Sequence, residues 1–143
     1  MASAHLTATV QQIYATLNDA LATGNMALLD QVMAPNIVDH HPDPAQAPGL
    51  DAIKHAFAGL RDAFPDLHFS VDDVIADDDK VAVRLTCRAT HTGAFLGFPA
   101  THRQVTYAVF DHLRLDAGKI VERWGVVDAL GLLLQLGLTL PQA

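Results

Sequence analysis

Apolar residues recur at helical spacing from the start of the chain, at Leu6, Val10, Ile13, Tyr14, Leu17 and Leu21. This pattern predicts an amphipathic helix closed by Gly24, a residue free to turn left-handed. Asn25 is placed to cap a short second helix through Met26, Leu28, Leu29, Val32 and Met33, with Pro35 as its stop. Asn36 to His41 reads as extended, and Pro42, Pro44 and Pro48 make the stretch up to Gly49 a stiff loop. A third helix spans Leu50 to about Phe64, with Ile53, Phe57, Leu60 and Phe64 on one face, and Pro65 ends it.

Beyond Pro65 the period changes to two. Leu67, Phe69 and Val71 share one parity and Val74 and Ala76 the other, a switch that a bulge near Asp72–Asp73 would produce. After an Asp77–Asp79 turn, Val81, Val83, Leu85, Cys87, Ala89 and His91 alternate with Ala82, Arg84, Thr86, Arg88 and Thr90, as in a long half-buried strand. Gly93 to His102 is a loop rich in apolar residues, which suits a segment packed over a pocket mouth or a partner. Arg103 to Asp128 forms two strands joined by Asp116-Ala117-Gly118, read as a three-residue hairpin loop. That loop sets Leu113 opposite Val121, Asp111 opposite Arg123, Val109 opposite Gly125 and Tyr107 opposite Val127 on one face. Phe110 with Trp124, His112 with Glu122 and Ala108 with Val126 fall on the other. Asp128 can cap a last helical turn or two.

Three N-terminal helices followed by long strands predict an α+β fold in which a curved antiparallel β-sheet forms a cone against the helices, with a cavity on its concave face. With 143 residues and 50% hydrophobic content, the whole chain 1–143 fits a single domain with a substantial core. A formal charge of −7 disfavours nucleic acid and anionic membrane as partners. No apolar stretch is long enough to span a bilayer, no export signal precedes the first helix, and Cys87 is the only cysteine; a cytoplasmic protein without disulfides is expected.

The chemistry concentrates on the concave face. Asp111 and Arg123 are a carboxylate and a guanidinium set among apolar side chains, read either as a general base with an oxyanion-binding partner or as a structural cross-strand pair. An adjacent arginine lowers a carboxylate's proton affinity, which weakens the base role. In Asp39-His40-His41-Pro42-Asp43, adjacent side chains on an extended strand point to opposite faces. Asp39 and His41 can therefore converge, and one of the two borders the pocket while His40 faces water; a metal site is the minority reading. His91, on the inward parity of its strand, is a second candidate acid or base. Tyr107 can donate its hydroxyl to a substrate oxygen, and Val109, Phe57, Phe95 and Gly125 complete the expected lining. Phe110 and Trp124 on the outer face suit the contact of a homodimer. No GxGxxG, Walker or GxSxG stretch occurs, so nucleotide cofactors and serine hydrolysis are not expected.

The order and spacing of DHHPDPAQAPGLDAIKHAF (39–57), FPDLHFSVDDVIADDDKVAVRLTCRATHTGAFLGFPATHRQV (64–105) and GKIVERWGVVDALGLLLQLG (118–137) resemble the SnoaL-like polyketide cyclase family, also called ester cyclases, over nearly the whole chain. The resemblance implies a nuclear-transport-factor-2-like fold. It also implies an intramolecular aldol cyclisation or isomerisation of an apolar carbonyl or ester compound, by acid/base chemistry without metal or coenzyme, and a homodimer. The family's acid/base aspartate falls on Gly125 and a family histidine on Asp111. This leaves Asp111, with His91 or His41, as the proton-transferring candidates and Arg123 as the electrophile. It also leaves open a small-molecule binder on the same fold that has lost the base.

Overall fold

The computed structural model describes residues 2–42 and 46–142. Helix α1 (Ala2–Thr23) carries the predicted apolar face, and Val10, Ile13, Tyr14, Leu17 and Leu21 are all buried. It ends at Gly24, whose φ is +78°. A 3-10 helix (Met26–Gln31) follows, shorter than expected, and the Asn25 side chain makes no capping bond. The chain is already extended at Met33: strand β1 (Met33–Asp39) includes Pro35. A proline is tolerated there because β1 is an edge strand with one neighbour. Helix α2 (Leu50–Ala63) has Asp51 in its first turn and Arg61 in its last. Arg61 does more than complement the dipole, since its Nε donates to the Leu21 carbonyl at 2.7 Å and ties α2 to the end of α1.

Strands β2 (His68–Asp77), β3 (Lys80–Thr90), β4 (Gln104–Asp116) and β5 (Lys119–Val127) form, with β1, an open sheet in the order β1-β5-β4-β3-β2. The bulge expected near Asp72–Asp73 is present, as the register shifts between Val71 and Asp73. The expectation of an all-antiparallel sheet fails at one strand, because β1 lies parallel to β5, with Asp39 beside Arg123. Helix α3 (Ala129–Leu136) is capped by Asp128, which accepts from the Gly131 amide, and is closed by left-handed Gly137. It crosses back over β4, where Gln135 bonds both the amide and the carbonyl of Thr106. Among the described residues, no helix is long and apolar enough to cross a membrane.

The β4–β5 hairpin departs from the expected register in an instructive way. Its loop has two residues, not three: Asp116 pairs with Lys119, and Ala117 and Gly118 both have positive φ, as a type I′ turn requires. Between Leu115–Ile120 and Arg114–Glu122, Val121 is an extra residue on β5. Together these shift the pairing by two, so Asp111 stands opposite Gly125, Leu113 opposite Arg123, His112 opposite Trp124 and Phe110 opposite Val126. Side-chain direction alternates with period two, so a shift of two leaves every residue from Glu122 onward on its expected face. Asp111 and Arg123 are therefore diagonal neighbours on the inner face rather than directly opposed.

Candidate active site

The inner face of β4 presents Val105, Tyr107, Val109, Asp111, Leu113 and Leu115, all buried, and Asp111 is its one charged group. A carboxylate in that position requires compensation, and two elements supply it. Tyr14 of α1 donates its hydroxyl to Asp111 Oδ2 at 2.5 Å. Arg123 of β5 donates from Nε to Oδ1 at 3.0 Å, and its Nη2 forms an ion pair with the same oxygen at 3.0 Å. The other arm of the guanidinium, Nη1, reaches the Asp39 carboxylate of β1 at 3.1 and 3.2 Å and the His41 carbonyl at 3.5 Å. Asp39 is in turn fixed by the His41 amide, which donates to its Oδ1 at 3.0 Å. The parallel pairing of β1 is what delivers Asp39 to Arg123.

The electrostatics follow from this geometry. Burial raises the Tyr14 phenol well above its ordinary pKa, and the Asp111 charge beside it raises it further. Tyr14 is thus a neutral hydrogen-bond donor. For Arg123, burial acts to lower the pKa, but the Asp111 and Asp39 carboxylates outweigh it and hold the guanidinium above its usual value. Burial, reinforced by Asp111, pushes the Cys87 thiol up to about 12. Cys87 is therefore a protonated core residue rather than a nucleophile.

Gly125 is the structural condition for this network. A Cβ built on Gly125 would overlap the Arg123 guanidinium and crowd the Asp111 carboxylate. The guanidinium lies where a side chain at 125 would begin.

The remaining candidates divide. Tyr107 and Val109 share the inner face with Asp111, and Tyr107 is hydrogen-bonded to the Cys87 thiol. Phe57 connects to the network through Phe69, whose ring lies 6.5 Å from Phe57 and edge-on to Tyr14 at 6.1 Å. His41 contributes only its backbone, and its side chain is exposed. His91 is not brought to Asp111. The residue paired with Asp111 is Val83, and His91 lies eight positions further along that chain, roughly 26 Å away for an extended segment. It sits at the far end of the sheet with Phe64, 5.4 Å between ring centres, and Phe95 packs edge-on against Phe64 at 5.1 Å. Phe95 thus belongs to the His91 end as well.

On the outer face, His40 stacks on Trp124 at 4.6 Å with the rings 5° from parallel, and its Nε2 meets Glu122 at 2.7 Å. Glu122 also accepts from Arg114, and first this bond and then that of His40 lower its pKa. The expected His112–Glu122 pair is absent; His112 instead leans on Trp124 at 5.3 Å. Trp124 is half-covered by its own chain, whereas Phe110 and Val126 are 58% and 63% exposed. Among the described residues no group of three or more His, Cys, Asp or Glu side chains is arranged to hold a metal ion, and Asp43 lies outside the described residues. An open cleft of about 490 Å³ adjoins the network, lined by residues 36–39, Pro42 and residues 46–49; Asp39 is common to both.

Tyr14 was not legible as a site residue. Its helical spacing marks it as core, and the one available hint is that a buried phenol hydroxyl requires a partner.

An open mixed sheet with helices across one face and a buried polar cluster on that face defines the nuclear-transport-factor-2-like class of α+β proteins. Within it, the chain belongs to the SnoaL-like polyketide cyclase family, whose model matches residues 11–136. Among solved structures, TsrD from Streptomyces laurentii is 29% identical, with a TM-score of 0.80 over 91% of this chain and 96% of that one. AclR from Streptomyces galilaeus, a candidate hydroxylase, is 31% identical, with a TM-score of 0.78 over 99% and 85%. IdmH from Streptomyces antibioticus, a candidate polyketide cyclase, is 30% identical, with a TM-score of 0.74 over 90% and 98%. No curated protein matches the chain significantly in sequence.

Proposed function

We propose that this protein carries out proton transfer next to the carbonyl of an apolar, ring-sized ketone or ester, as in aldol cyclisation or isomerisation, with Asp111 as the base. One observation carries the reading: the hydrogen bonds of Asp111 and Arg123 leave acceptor capacity on the carboxylate and donor capacity on the guanidinium. An ionised carboxylate offers about four lone-pair sites, and hydrogen bonds from Tyr14 Oη and Arg123 Nε take two of those of Asp111. A guanidinium has about five N–H donors; Nε bonds Asp111 and Nη1 bonds Asp39 and the His41 carbonyl, while Nη2 makes an ion-pair contact with Asp111 Oδ1 at 3.0 Å. In this reading an unused lone pair of Asp111 accepts the proton from carbon, and Nη2 receives the enolate oxygen that forms. In a cyclisation the enolate carbon then bonds to a second carbonyl of the same molecule, whose oxygen takes the proton back from Asp111. Tyr14 orients the carboxylate throughout. The cleft bordered by Asp39 is of the size small-molecule sites have.

Gly125 favours a second reading. With no side chain where the family's acid/base aspartate falls, and with both carboxylates already bonded to Arg123, the cluster also suits a binding protein that holds such a compound without converting it. The two are separated by turnover of a panel of polyketide esters and enolisable ketones by wild type, Asp111→Asn and Arg123→Ala. Catalysis by Asp111 requires wild-type turnover lost in Asp111→Asn. Tight binding with no turnover supports the binder. Full activity in both variants removes the site. The same reading includes a homodimer through the outer sheet face, now centred on Phe110 and Val126 rather than Trp124, since large exposed apolar groups at mid-sheet suit such a contact.

A further inference from the structure

The far end of the sheet holds a polar group that the Asp111 chemistry does not use. His91 is fully buried, at 0% exposure, and its Nε2 has no hydrogen-bond partner. The other ring nitrogen, Nδ1, meets the Thr101 hydroxyl at 3.0 Å, which can donate or accept, and accepts from the Thr101 backbone amide at 3.2 Å. A backbone N–H can only donate, so in neutral His91 the proton sits on Nε2, which makes Nε2 a buried donor without an acceptor. The Phe64 ring does not serve as one, because it is tilted only 36° from the imidazole, far from the edge-to-face arrangement an N–H···π contact needs. An unanswered buried donor costs about 1–3 kcal/mol, and such groups in native proteins call for a reason.

The loop that follows His91 is separately built. The Thr92 and Gly93 amides both donate to the Ala63 carbonyl. A Cβ on Gly93 would run into the α2 backbone at Asp62, so the loop is rooted tightly on α2. Past that root the chain rises into a short Phe95–Phe98 bridge with Leu96 and Gly97 at positive φ. Leu96 is 63% exposed there, and left-handed backbone at a leucine is strained. An apolar flap with a fixed root and a strained tip thus follows a donor lacking an acceptor in the chain, and its Phe95 packs on the same Phe64 ring that His91 meets.

We propose that His91 Nε2–H is the hydrogen-bond donor of a second ligand site, distinct from the Asp111 cluster, which takes an uncharged carbonyl oxygen on an apolar ring compound when the 94–98 flap lifts. The ring-ketone class rests on the proposed function, while the donor itself does not. The acceptor must be uncharged because the side of His91 that meets Phe64, itself packed by Phe95, offers no countercharge.

The test compares 1-tetralone with tetralin, the same bicycle without the oxygen. Binding is measured by calorimetry, and the His91 ring is followed by ¹⁵N NMR. The expected result is a ¹⁵N signature of the Nε2–H tautomer in the free protein, a shift of that Nε2–H on adding tetralone but not tetralin, and roughly tenfold tighter binding of the ketone, the worth of one hydrogen bond. His91→Asn keeps an acceptor for the Thr101 amide and removes the outer donor, so it should abolish the preference for ketone over hydrocarbon. Equal affinity for the two compounds overturns the proposal, as does an Nε2–H that contacts only a buried water and ignores tetralone. So does a ketone that perturbs Tyr14 and leaves His91 unmoved. The wild-type NMR measurement stands even if the variant does not fold, and none of these readouts depends on turnover, so loss of the catalytic reading is a separate result.

Discussion

The two ends of the inner face handle buried polarity in opposite ways. Around Asp111, helix α1 and strands β1, β4 and β5 each contribute a group, and the carboxylate, guanidinium and phenol satisfy one another. Around His91, one ring nitrogen is bonded to the adjoining loop and the other has no partner, with the Phe64 ring 5.4 Å from the imidazole. A network bonded from several elements is costly to break and resists change, because removal of any member strands the others. An orphaned donor is already paying its penalty, and gains from anything that brings an oxygen. The first end is therefore where polar groups hold one another in place, and the second is where one is left without a partner.

The largest effect should come from breaking the first end. Asp111→Ala strands the Tyr14 hydroxyl and leaves Arg123 with Asp39 alone, and should lower stability by about 3–5 kcal/mol in urea unfolding, as loss of one partner of a buried pair does. Gly125→Asp ranks next. By family likeness it would place a carboxylate at the base position, but the new side chain meets the Arg123 guanidinium and sets a further carboxylate beside Asp111. A loss of about 1–3 kcal/mol from overpacking is expected, with no gain in turnover. Combining Gly125→Ala with Arg123→Ala should cost less than the sum of the two single changes, because both act on one space.

Tyr14→Phe should cost about 1–2 kcal/mol at neutral pH for the hydroxyl's bond to a buried carboxylate, and it alters the alkaline limb. The native phenol's pKa is raised, so above about pH 10, where the unfolded tyrosine releases its proton, the native state binds more protons than the unfolded one. Stability then falls as pH rises from about 10, is unaffected below it, and loses this component in Tyr14→Phe. Urea midpoints of wild type and variant between pH 8 and 11 on the order of half-unit steps would show it. Cys87, raised to about 12, adds a similar decline in both proteins and cancels from the difference. The smallest effect on stability belongs to neither end. Phe110→Asp on the outer face should change unfolding by less than about 0.5 kcal/mol, yet sedimentation should show it more monomeric than wild type if the outer face joins two copies.

Much of this arrangement was legible in the sequence. Alternation is a local property, so the inward parity of Asp111, Arg123, Asp39 and His91 and the outward parity of His40, Phe110 and Trp124 could be read off directly. Register could not. A three-residue loop and a two-residue turn followed by a bulge differ by little energy, and Val121 is an ordinary strand residue that gives no sign of being the extra one. Nothing in Asn36–His41 says that its neighbour is β5 or that it runs parallel. The bond between Tyr14 and Asp111 spans 97 positions, and helical periodicity reports that Tyr14 is buried, not what its hydroxyl meets. The separation of His91 from Asp111 follows from counting along β3, but only once the β3–β4 register is known.

The central claim is that Asp111 abstracts a proton from carbon, and exchange with solvent tests this without requiring the natural substrate. Wild type and Asp111→Asn, each incubated with 1-tetralone in deuterated water, are followed by NMR for loss of the protons next to the carbonyl. The expected result is exchange by wild type well above buffer and a decrease of roughly 10²- to 10⁴-fold in Asp111→Asn, the usual worth of a positioned base. Exchange by wild type no faster than buffer, or exchange that survives intact in Asp111→Asn, would contradict it.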